Sequence, residues 1–125
     1  MSSTQSRPYL IVSVLLLGAF ASFNASAAVD VKSYRIGVAA PEVRKSVEMY
    51  VNGLRDGIIF LDAFRHKYEN VKLKFCTEDA NLTEKKTLAI LDLELADPSK
   101  GIPYRDDVPI VLVLIKALER FASCK

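Results

Sequence analysis

The sequence is poor in the residues from which active sites are most often built. It has one histidine, His66, and two cysteines, Cys76 and Cys124. A zinc centre needs about four ligands, and a Cys–His couple needs a base placed beside the thiol. His66 and the two cysteines do not supply either at these spacings. No pair of carboxylates builds a catalytic constellation: Asp56 and Asp62 are six residues apart, which does not place them on one helix face. Charge of one sign is also scarce. The formal net charge of +2 gives no electrostatic case for nucleic acid or for an anionic membrane. Long apolar runs are absent except one, and internal repeats and low-complexity tracts are absent altogether.

That one run is "YLIVSVLLLGAF" (9–20), preceded by Arg7 and followed by Ala25, Ser26 and Ala27. A basic start, an apolar middle and a small-residue cleavage site are the pattern of a secretory signal peptide. The run is shorter than the roughly 20 residues that span a bilayer. The expected arrangement is a signal over 1–27 and one domain over 28–125, with a bacterial periplasm as destination and no membrane attachment after cleavage. Arg7 is the only charged residue of that signal, so the remaining chain carries a net charge nearer neutrality.

In an oxidising compartment, two cysteines in one small domain read as a Cys76–Cys124 disulfide. A nucleophile or a metal ligand is the weaker reading for want of partners.

Residues 28–39 are mixed and β-branched, and the expectation is a short irregular N-terminal arm. Pro41 and Glu42 then suit a helix start. Val43, Val47, Tyr50, Leu54, Ile58, Leu61 and Phe64 recur at threes and fours, which predicts an amphipathic helix of about seven turns. Lys45, Glu48, Arg55 and Asp62 fall toward its outer side, and His66 near its C-terminal end. Gly53 and Gly57 lie one turn apart inside it, and the expectation is that another backbone approaches there. "HKYENVKLKF" (66–75) reads as loop or a short extended piece.

Thr83 is the expected cap of a further helix striped by Leu88, Leu91 and Leu95, with Ile90 beside them, ending before Pro98. Asn81 opens a glycosylation sequon but reads as a turn residue. "DPSKGIPYRDD" (97–107) is a polar loop with two prolines and a glycine. Asp107 is the expected cap of the last helix, with Pro109 in its first turn. That helix, "IVLVLIKALERF", is apolar on most sides and is expected to be central. The fold class is therefore all-α: a small bundle of about three to five helices stapled by one disulfide. Neither enzyme chemistry nor a cofactor is expected.

Three stretches together, "YVNGLRDG" (50–57), "FCTEDANLTEKKTLAILDLEL" (75–95) and "VLIKALERFASC" (113–124), resemble the small periplasmic immunity proteins of the Rap/Tai type. The positions that carry the likeness are Gly53, Phe75-Cys76, Ala117-Leu118, Phe121 and Cys124. Glu78 and Ser123 stand where that family often has proline. The resemblance implies a non-catalytic periplasmic protein, commonly a homodimer. It implies a protein partner, a peptidoglycan amidase delivered by type VI secretion, whose cleft is plugged by a protruding loop. The loop candidate is 97–107, with Pro98, Lys100, Tyr104, Arg105 and Asp106 as partner-binding residues. Tyr104 and Arg105 are its expected anchors, since Tyr and Arg are enriched at binding hot spots. Two other readings stand beside it: an acid-stress periplasmic chaperone of the HdeA kind, and an orphan protein of the same fold.

Overall fold

A computed structural model describes residues 28–125. The signal peptide expected over 1–27 lies outside the described residues. Five helices follow in chain order: α1 (Val31–Ala39), α2 (Pro41–Glu69), α3 (Thr77–Ala80), α4 (Glu84–Ala96) and α5 (Ile110–Phe121). No strand is formed among the described residues, only two isolated bridges, Asp30 with Pro109 and Phe75 with Ser123. The all-α bundle with one disulfide is the architecture found.

The arm is shorter than the sequence suggests. Asp30 ends it by capping α1, its carboxylate accepting from Ser33 N at 2.7 Å. Val31, Tyr34 and Gly37 then turn inward at threes, a pattern too short in a nine-residue helix to stand out from its mixed surroundings. The α1–α2 corner closes on Gly37. A Cβ there would lie 2.5 Å from Val47 Cγ2, so the two helices meet at a distance only glycine permits.

α2 begins at Pro41 and runs 29 residues, ending at Asn70 in the left-handed conformation (φ 55°). The first four residues of the stretch expected to be loop (66–75) are therefore helix. Four side chains of α2 correct the sequence reading. Arg55, placed on the outer side as a charged residue, reaches inward instead, donating to Leu82 O at 3.3 Å and Thr87 Oγ1 at 2.9 Å. Asp62 turns toward the following segment and accepts from Lys74 N and Phe75 N, each at 2.9 Å. Leu61 and Phe64 are exposed, because α2 outruns the helices that cover its first half. Gly53 and Gly57 are corrected too. Nothing among the described residues lies within 4 Å of a Cβ built at either, so no described backbone approaches them.

Cys76 and Cys124 are bonded, with Cα atoms 4.8 Å apart. Cys76 N donates to Ala122 O and Cys124 N to Lys74 O, at 2.8 and 2.9 Å. The staple thus sits on a two-rung backbone clip joining the end of α5 to the entry of α3.

Thr83 caps α4 as expected, accepting from Lys86 N at 3.1 Å. α5 is the central helix: Ile110, Val113, Leu114, Ala117 and Leu118 are fully buried. Each such aliphatic larger than alanine contributes roughly 1.5–3 kcal/mol by burial. Its N-terminus departs from the expectation. Asp107 does not cap it; Asp107 pairs with Arg105 at 2.6 Å. Ile110 N donates instead to Val29 O at 2.8 Å. The orphan donor of the helix start is satisfied by a segment some 80 residues away in sequence, about which local caps carry no information.

Candidate partner-binding loop

The 97–107 loop leaves α4 at a buried charge. Glu94 has no solvent exposure, although it lies on a helix whose other buried positions are Thr87, Ile90 and Leu91. A carboxylate in such a place persists only when its oxygens are fully engaged. Here Glu94 Oε1 accepts from Ser99 N and Ser99 Oγ, both at 2.9 Å, and from the Tyr104 hydroxyl at 2.7 Å. Arg120 of α5 approaches Oε2 at 3.4 Å. Burial alone would raise the Glu94 pKa, but these donors outweigh it and hold the carboxyl below its ordinary value. The same burial, with the carboxylate beside it, pushes the Tyr104 hydroxyl up to about 12.

The rest of the loop is fastened at both ends. Arg120 donates to Asp97 O at 2.6 Å and to its carboxylate at 2.9 Å. Gly101 N donates to Pro98 O at 2.8 Å, closing a turn in which Gly101 takes φ 69°, a conformation that glycine adopts without strain. At the exit, Lys32 N donates to Asp106 O and Val31 N to Val108 O, at 3.1 and 2.9 Å. Arg35 of α1 also reaches the Asp106 carboxylate at 3.2 Å. Between these fastenings lies a tip, Lys100–Pro103, that is exposed throughout. Its apolar point is Ile102, 72% exposed.

The five residues named from the sequence separate into two groups. Pro98, Tyr104 and Asp106 form the loop's internal frame. Tyr104 is half-buried against the core, and its hydroxyl is spent on Glu94. Lys100 and Arg105 are exposed, and Arg105 holds only the surface pair with Asp107. Sequence reading missed Glu94, Arg120 and Ile102. Glu94 was legible in part: it continues the 87–90/91–94 spacing and so points inward, where a carboxylate demands partners. Ile102 was visible as the lone large apolar side chain of a polar loop.

Among the described residues no three of His, Cys, Asp and Glu gather as a metal site, and no helix is long and apolar enough to cross a membrane. No family model, curated protein or solved structure matches this chain.

Proposed function

We propose that this chain is a non-catalytic protein-binding domain of the periplasm, an immunity-type protein whose 97–107 loop occupies the cleft of a peptidoglycan amidase effector. The observation that supports this reading is the fastening of the loop onto buried Glu94. A segment held in one conformation before binding loses little entropy on binding. Its free surface, Lys100, Ile102 and Arg105, offers an apolar tip between two cations. A cleft would receive the tip, and an acidic rim would receive the cations. The disulfide fits an oxidising compartment.

The experiment is a rescue assay. Cells challenged with periplasm-directed peptidoglycan amidases express the chain with and without residues 1–27. The expected result is survival that needs the N-terminal segment and is lost with Ile102→Asp. Failure to protect against every amidase of the same genome refutes the reading.

A second reading has one observation in its favour. The loop depends on an ionised buried carboxylate, so strong acid would release it. That is the behaviour of an acid-activated chaperone. Such a protein would suppress aggregation of unrelated clients near pH 2–3 and protect against no amidase.

A further inference from the structure

One side of α2, from Met49 to Tyr68, carries an apolar face that the described residues leave bare. Met49 (65% exposed), Phe60 (70%), Leu61 (57%), Phe64 (44%) and Tyr68 (65%) all stand in solvent. With aromatic side chains of about 150–250 Å² each, the exposed parts amount to about 600 Å². That is the top of the range of roughly 300–600 Å² for the largest patch on a monomer. It is also most of the ~800 Å² that each partner contributes to a standard interface. The rings are already ordered: Phe60 and Phe64 lie 6.3 Å apart, and Phe64 and Tyr68 4.7 Å.

The order of large and absent side chains along this face identifies what covers it. Reading along α2, the outward positions are Met49, Gly53, Gly57, Phe60, Phe64 and Tyr68. Their spacing is four, four, three, four, four, which is the same in either direction. An antiparallel copy centred between Ile58 and Ile59 therefore aligns all six at once. It sets Phe60 against the partner's Gly57, Phe64 against the partner's Gly53, and Tyr68 against the partner's Met49. Each inner ring meets a notch where no side chain stands, and the cavity beside each glycine is open in the single chain. Helix-interior glycines cost stability, and no contact among the described residues accounts for these two.

We infer that α2 is the seam of a homodimer, packed antiparallel on a second copy of itself with Phe60 and Phe64 seated over Gly57 and Gly53. The match is self-complementary, as a twofold interface requires. The seam does not involve the 97–107 loop, so this inference stands or falls apart from the amidase reading.

The test is sedimentation equilibrium of the expressed full chain between about 1 and 100 µM. A dimer is expected. Phe64→Ala, and Gly53→Ala combined with Gly57→Ala, each weaken it at least about tenfold. The glycine variant also melts higher at dilutions where it is monomeric, because a Cβ fits both positions in the single chain. Because Cys76 and Cys124 are bonded, a cysteine added on α2 is a free thiol. Gly53→Cys chains mixed with Phe64→Cys chains should form a disulfide-linked pair. Phe64→Cys alone should not, since its two copies sit about 16 Å apart along the seam. The inference is overturned by a wild-type monomer at the highest concentration, whether the face is then bare or covered by residues 1–27. It is equally overturned by self-linking of Phe64→Cys, or by a dimer indifferent to both sets of substitutions.

Discussion

The Tyr104 hydroxyl lies 2.7 Å from Glu94 Oε1, joining the middle of the 97–107 loop to the buried face of α4. Tyr104 is thereby a brace of the loop. Tyr104→Phe keeps the ring and removes one donor from a buried carboxylate, and should cost about 1–2 kcal/mol. Tyr104→Ala also removes the ring and should cost more. Arg105→Ala and Lys100→Ala should stay within about 0.5 kcal/mol of wild type, as exposed substitutions do. Urea denaturation of the four variants checks the ordering. An unchanged midpoint for Tyr104→Ala would show that the loop is not held this way.

Glu94 also fixes the direction of the acid response. Its folded pKa lies below the ordinary 4.5, so below that value the unfolded chain takes up the proton first. The stabilisation is complete above pH 4.5 and is lost as pH falls through the lowered folded value. Glu119, held down chiefly by the Lys116 ammonium, adds to the same limb. Melting temperature should be flat near neutrality and fall below pH 4.5. Glu94→Gln should be less stable at pH 7 and should show a shallower acid fall. Equal acid slopes in the two proteins would remove Glu94 from the explanation.

Cys76→Ser or Cys124→Ser opens a loop with a sequence separation of 48. The chain-entropy model assigns such a closure up to about 4 kcal/mol. A loss of that order is expected in urea, along with faster hydrogen exchange at the amides of Cys76 and Cys124, whose clip the staple supports. Wild-type protein treated with reductant should match the serine variants. Intact mass with and without alkylation of free thiols checks the bond itself.

Gly37 and Gly53 should answer to alanine with opposite signs. Gly37→Ala drives a methyl into Val47 Cγ2, and Val47 is stiff at χ1. Overpacking of this kind costs typically about 1–3 kcal/mol. Pairing it with Val47→Ala should recover part of the loss. Gly53→Ala meets nothing among the described residues and should stabilise the monomer by up to about 1 kcal/mol. Thermal melts of the three proteins at low concentration decide it.

Several elements were readable from local sequence because their causes are local. Pro41 and Glu42 mark the start of α2, Thr83 caps α4, and the apolar run from Ile110 buries α5 on most sides. The cysteine pair followed from number and compartment. α1 was missed because a helix with inward residues only at Val31, Tyr34 and Gly37 has too short a pattern to exceed the mixed background. Arg55 was misplaced because charge was read as outward: it stands four residues after buried Val51 and three before Ile58, on the covered side of α2, where its guanidinium meets Thr87.

The sequence by itself determined the helical class, the staple and the location of the loop, since periodicity, caps and cysteine count act within a few residues or by simple pairing. Only the tertiary structure decided that Glu94 fastens the loop, that Val29 completes the start of α5, and that Gly53 and Gly57 face outward. Each depends on which distant segment lies against a given face. That is settled by packing the whole bundle, once α5 has taken the centre and α2 has proved longer than the helices that cover it.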